Sequence, residues 1–264
     1  MNNPMWKISK GEGPLIATAI HEGHELRDEV AQLTALSDQE RLREEDPYTG
    51  KWAEVAETHI VVQRSRFEMD LNRPRDKAVY QFPEDAWGLN LWKKLPGPGM
   101  IEQSLIQYDN FYKEVRQLLE EKIAQHGFFL VLDLHSYNHL REGPDGPAAD
   151  PEKNPEVNIG TGTIERTQWR PLVDRCISDL KTFKFLGRNL DVRENVKFRG
   201  GKLSRWVNTH FPENGCALAI EFKKFFMNEW DGELDQQTHK TISQALRAPL
   251  PGLLEELKLL GARI

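Results

Sequence analysis

Two histidines and two glutamates fall within five residues at His21-Glu22-Gly23-His24-Glu25, directly after the apolar run PLIATAI at residues 14–20. Imidazole nitrogens and carboxylate oxygens are the ligands of zinc and related divalent ions, so this is a metal locus in chemical type. A polar helix start is the plain alternative. The spacing differs from the zincin signature, which needs two histidines four apart on one helical face. A second apolar run, FFLVLDL at 128–134, leads into His135. A histidine there must be satisfied, as a ligand or as a hydrogen-bonded core residue. Asp133 would share its side of a strand and could orient its ring. A third run, CALAIE at 216–221, ends in Glu221. That carboxylate suits a general base that activates water and later protonates a leaving group. An ion pair with Lys223 or Lys224 is the alternative.

A catalytic zinc usually keeps three protein ligands and an open position. Two histidines leave a carboxylate to be found among Glu22, Glu25, Glu45, Asp46, Glu68 and Asp70, and spacing alone does not choose. Asn72 and Arg73, after the strand-like FEMDL, are one candidate for holding a substrate anion. A later stretch, residues 197–205, offers Lys197, Arg199, Lys202 and Arg205 around Gly200-Gly201. A glycine pair lets backbone approach a ligand, and guanidinium groups suit a bidentate carboxylate. A glycine turn with surface cations is the bland reading.

The elements that would carry these residues alternate between strands and helices. Runs at 14–20, 58–63, 128–134, 157–160 and 216–221 are expected as strands. Residues 25–36, 37–45, 108–126, 167–182 and 236–259 are expected as helices, with a short one near 86–93. Ser37 and Glu40 form a capping-box pattern. Asp46-Pro47 should end the second helix, and Gly127 should cap the fourth. Residues 141–157 read as a polar Pro/Gly loop. This alternation predicts one α/β domain over 1–264, with a mixed, mainly parallel sheet flanked by helices. Ligands on such sheets sit beyond the carboxyl ends of the strands, where His21, His135 and Glu221 fall.

Taken together, the residues resemble the N-formylglutamate amidohydrolase family over about residues 14–230. The elements that carry the likeness are His21-Glu22-Gly23, Ser65 through Pro74 (SRFEMDLNRP), Asp133 through Ser136, Asn158 through Thr161, Phe198 through Arg205, and Glu221. The resemblance implies a fold of the zinc exopeptidase type, like the carboxypeptidases and aspartoacylases. It implies one zinc ion on His21, His135 and an acidic residue. Asp46 is the expected acid, with Glu45 close behind and His24 as a competing ligand. Asn72 and Arg73 would hold a substrate carboxylate, beside Gly200 and Gly201, and Arg205 a second one. Glu221 would be the base and Asp133 a support for His135. The implied reaction releases formate, or a short acyl group, from an N-acyl amino acid. A carboxypeptidase-like enzyme, another deacylase, or a binding protein with a lapsed site are the alternatives. The sequence departs from the typical pattern at Ile20, His24, Glu44 through Pro47, and Lys202.

Composition narrows the partners to small molecules. With 35 Lys and Arg against 41 Asp and Glu, the formal net charge is −6, which repels phosphate backbones and argues against nucleic acid. No run approaches the roughly 20 apolar residues that a membrane helix needs. The first residues lack a basic start followed by an apolar core, so no secretory leader is expected. Two cysteines are too few for a disulfide framework. A cytoplasmic location is the expectation, and the oligomeric state is open.

Overall fold

The apolar runs become the centre of one seven-stranded sheet. The computed structural model describes residues 4–264; the first three residues, on which the leader reading partly rests, lie outside them. In chain order the elements are β1 (Trp6–Ser9), β2 (Leu15–Ala19), α1 (Asp28–Ala31), α2 (Asp38–Glu44), α3 (Thr49–Ala53), β3 (Thr58–Val62), α4 (Pro98–His126), β4 (Phe129–Tyr137), β5 (Val157–Gly160), α5 (Arg170–Thr182), β6 (Val192–Glu194), α6 (Lys202–His210), β7 (Gly215–Lys223), α7 (Gln236–Arg247) and α8 (Leu250–Leu259). The strand order is β1-β3-β2-β4-β7-β5-β6. Only β1/β3 and β5/β7 pair antiparallel, so the sheet is mixed and mainly parallel as expected. Helices α4 and α6 pack on one face through Phe111, Val115, Leu203 and Val207. Helices α3, α5, α7 and α8 pack on the other through Trp52, Leu172, Ile242 and Leu253. With both faces covered, the central strands β2, β4 and β7 are apolar on nearly every residue.

Several elements differ from the sequence reading. Strands β4 and β7 run on to Tyr137 and Lys223, so His135 and Glu221 lie inside buried strands rather than just beyond them. Only Asp28–Ala31 is helical within 25–36. The flanking backbone bonds elsewhere instead, with Glu25 N donating to Gln63 O and Ala35 N to Leu91 O. The stretch FEMDL is a set of turns, because Glu68 and Asp70 turn inward to meet Arg27 and Arg66. The short helix shrinks to a 3-10 turn at Pro83–Ala86, ended by Trp87 at φ 54° and Gly88 at φ 85°. Helix α4 begins ten residues early, at Pro98, where proline is preorganised for a first turn. The final helix is two, because Pro249 brings no N–H to continue the ladder. The capping box at Ser37/Glu40 and the Gly127 cap at φ 82° are both present. Among the described residues no helix is long and apolar enough to cross a membrane.

Candidate active site and metal centre

Three strands deliver the chemistry. β2 ends at Ala19, and His21 follows it into a turn, 3% exposed. β4 carries Asp133 and His135, and β7 carries Glu221 in register with His135. Asp46 comes from elsewhere. Helix α2 ends before Pro47, and the turn after it points the Asp46 carboxylate back at the sheet. Its Oδ2 lies 3.3 Å from His21 Nδ1 and 3.0 Å from His135 Nδ1. The three buried side chains bring one ligand atom each within 4.8 Å of one another.

This set fits a divalent ion. Zinc bonds of about 2.0–2.1 Å at tetrahedral angles place neighbouring ligand atoms roughly 3.3 Å apart. The far nitrogens of both rings face carboxylates. His21 Nε2 lies 2.8 Å from Asp70 Oδ1, and His135 Nε2 lies 3.2 Å from Asp133 Oδ1. A ring that donates Nε2–H in this way keeps an Nδ1 lone pair for the ion. Asp133 therefore stands where the sequence reading put it. Its Oδ1 also accepts from Thr18 Oγ1 at 2.8 Å.

The electrostatics point the same way. Burial works against the Asp46 carboxylate, yet hydrogen bonds from His135 and His21 outweigh it and hold its pKa far below the ordinary range. Burial likewise opposes charge on His135, but Asp133 and Glu221 together lift its pKa well above the ordinary value. Three carboxylates, Asp46, Asp70 and Asp133, thus meet the two imidazoles, and Arg66 offsets only Asp70, which leaves negative charge that a dication would balance. Glu221 itself accepts no hydrogen bond from a described residue, and burial raises its pKa to about 7. It pairs with neither Lys223 nor Lys224.

The competing ligands are drawn away. His24 Nδ1 lies 2.5 Å from Glu45 Oε2, and His24 Nε2 meets Arg41 Nη2 at 3.1 Å. Ser65 Oγ donates to the other Glu45 oxygen. His24, half-buried, and the buried Glu45 thus form their own pair, which leaves Asp46 as the acid in the cluster. Glu22 accepts from Gly50 N at 2.7 Å. Glu68 binds Arg27. Asp70 supports His21 and is itself held by Arg66 at 2.7 Å and by the Tyr80 hydroxyl.

The cluster opens into a cavity of about 240 Å³. Asn72, Arg73, Gly200, Gly201 and Glu221 line it, as do Tyr137, Phe198 and Trp87. Of its cations, Arg141 is bound by both Glu44 oxygens at 3.2 Å and Arg66 by Asp70. Arg73 touches Asp70 only at 3.9 Å, and the Arg199 side chain has no described partner. These two guanidiniums are free to receive an anion. Arg205 is not brought to the cavity. It sits exposed on α6, and Arg199, which the sequence reading set among the nearby cations, takes the place beside the glycines. The glycine pair serves a neighbour. A Cβ on Gly201 would meet Asn72 Oδ1 at 2.2 Å, and Gly200 holds φ 103°. Asn72 reaches past Gly201 to accept from Leu203 N at 3.1 Å.

Sequence reasoning missed the roles of Asp70, Arg66, Tyr80, Lys224 and Arg141. The signal for two of them was present, since Arg66 and Asp70 stand four apart inside SRFEMDLNRP. Tyr80, Arg141 and Lys224 carry no local signal, because their partners come from distant segments.

Known proteins bear on the fold and the family. No curated protein sequence is a significant match. Among solved structures, N-formylglutamate amidohydrolase from Ralstonia eutropha JMP134 superposes with a TM-score of 0.74 at 17% identity, covering 97% of this chain and 98% of that one. A gene product of Agrobacterium tumefaciens superposes at 0.71 and 16% identity, covering 97% of each. At such identities the likeness shows the fold. The family model described as N-formylglutamate amidohydrolase matches residues 13–227. Because the family model spans most of the chain and the fold matches, the chain belongs to the N-formylglutamate amidohydrolase family and is a hydrolase of amide bonds.

Proposed function

We propose that this protein is a zinc-dependent deacylase that releases formate, or a short acyl group, from an N-acyl amino acid. The observation that carries the reading is the His21–Asp46–His135 cluster with Glu221 in register beside it, at the floor of a cavity holding two free guanidiniums. Zinc bound there would supply Lewis acidity and lower the pKa of water toward about 7. Arg73, with Asn72 beside it, holds the substrate's carboxylate, and Arg199 offers a second cationic contact. Glu221 takes a proton from the attacking water on its carboxylate and passes it to the departing amine. Asp70 and Asp133 keep His21 and His135 in one tautomer. The hydrophobic walls Trp87, Tyr137 and Phe198 limit water around the reacting carbonyl.

The partner in this reading is a small molecule alone. Both cysteines are free and buried, which suits a reducing compartment such as the cytoplasm. The experiment is metal analysis of the purified protein together with formate release from a panel of N-formyl amino acids. One zinc per chain and formate release that stops on chelation support the reading. A metal-loaded protein inert toward every N-acyl amino acid, or activity untouched by chelation, rejects it.

A further inference from the structure

Lys224 follows β7 directly, three residues beyond Glu221. Its backbone N–H donates to Tyr137 O at 2.9 Å, so its Cα is tied to the two strands that carry His135 and Glu221. Lysines are rarely buried without a paired acid, yet this one is 1% exposed. Its ammonium reaches across to α2 and donates to Arg43 O and to Glu45 O, each at 2.6 Å. The carbonyls at a helix C-terminus lack partners within the helix and carry its negative end, so a cation there is favoured.

The second of these contacts bears on the metal centre. The Glu45 carbonyl belongs to the peptide that joins Glu45 to Asp46. The N–H of that same peptide donates to His21 O at 2.9 Å. One peptide plane is thus gripped at both ends, by a ligand's backbone and by Lys224. Pro47 on its far side prevents α2 from continuing and taking up these groups itself.

We propose that Lys224 is a positioning residue for the metal centre. Its ammonium orients the Glu45–Asp46 peptide, and with it the Asp46 carboxylate, against His21 and His135, and so ties the third ligand to the strand that bears the base. The inference rests on the metal-centre reading above, and its test separates the two.

The measurement is equilibrium zinc affinity of the metal-free protein by competition with a chromophoric chelator, alongside circular dichroism of the metal-free fold. Wild type, Lys224→Met and Asp46→Ala are compared. Lys224→Met keeps the apolar stem and removes the donors. Loss of a group that orients a ligand typically weakens metal binding about 10–100-fold, and that is the expected result for a folded Lys224→Met protein. A merely structural lysine would lower the melting temperature and leave zinc affinity within about threefold of wild type, which would overturn the proposal. Lys224→Leu, which likewise lacks any donor, replaces the methionine variant if that one does not fold, with the same two readings. If neither folds, the lysine supports the fold as a whole and the proposal is overturned. Failure of wild type itself to bind zinc would instead overturn the metal-centre reading.

Discussion

His135 and Glu221 stand directly opposite each other in the parallel pairing of β4 and β7. Both strands are buried along almost their full length, and this register puts the two side chains on one face; a slip of one residue in either strand would turn its side chain to the other. The proposed ligand and the proposed base are thereby held side by side by backbone hydrogen bonds rather than by a loop.

From this follows a separation of binding from turnover. Glu221→Gln preserves shape and removes the proton acceptor. It is expected to keep stoichiometric zinc while formate release falls about 10²–10⁴-fold, the usual worth of a general base. Atomic emission and a formate assay on the same preparation decide it. Turnover within about threefold of wild type would remove Glu221 from proton transfer.

The supporting carboxylates give a graded series. His135→Ala and Asp46→Ala each delete a ligand and are expected to abolish stoichiometric zinc. Asp133→Asn leaves His135 in place and disturbs its Nε2 partner, 3.2 Å away, along with the contact to Thr18. It is expected to weaken zinc by about 10–100-fold. Chelator competition across the three variants checks the order, and an Asp133→Asn protein with unchanged affinity would show that the ring is held by packing alone.

How much of this was legible from the residues differs by kind of contact. His21, His135 and Glu221 could be found because each ends or follows an apolar run, a local signal. Asp133 could be placed because strand geometry puts residues two apart on one face. Asp46 could be preferred only through family likeness, since its approach to the histidines depends on a turn stopped by Pro47 and on a peptide held by His21 and Lys224. The helix expected at 25–36 failed because its backbone is bonded by Gln63 and Leu91, partners that no local pattern reveals. The break in the last helix is legible at Pro249, which brings no N–H to the ladder. Arg205 is preferred through family likeness, as the arginine closing the element Phe198 through Arg205, and only the start of α6 at Lys202 shows that Arg199 is the one that lines the cavity.

That last difference is itself testable. Arg73 and Arg199 line the cavity with weak or no protein partners, and Arg205 is exposed on α6. A charge-assisted hydrogen bond contributes about 1.5–3 kcal/mol, or roughly 10–150-fold. Arg73→Ala is expected to reduce kcat/KM by that factor, chiefly through KM. Arg199→Ala should do so for substrates with a second carboxylate more than for those without. Arg205→Ala should leave kinetics within about twofold, as a surface substitution does. A large loss in Arg205→Ala with the fold intact would restore the sequence-based choice.

The buried Glu221 carboxyl also sets how the metal-free protein responds to pH. Burial raises the Glu221 carboxyl from 4.5 to about 7. Between those values the folded chain holds a proton that the unfolded chain has released, so stability falls as pH rises through this window. The contribution is fully present below about pH 4.5 and gone above about 7. A shift of this size corresponds to an upper bound on the order of 3 kcal/mol. Asp46 and Asp70 have pKa values lowered below the ordinary range, so their loss of stability comes on acidification, beneath this window. His135 is raised well above its ordinary value and adds a fall of the same sign at higher pH. Glu221→Gln removes only the buried acid. After chelation, the variant is therefore expected to melt above wild type at pH 8 and to approach it at pH 5. Thermal melts of both proteins at the two pH values measure the difference, and a gap that does not change with pH would show that Glu221 is ionised throughout.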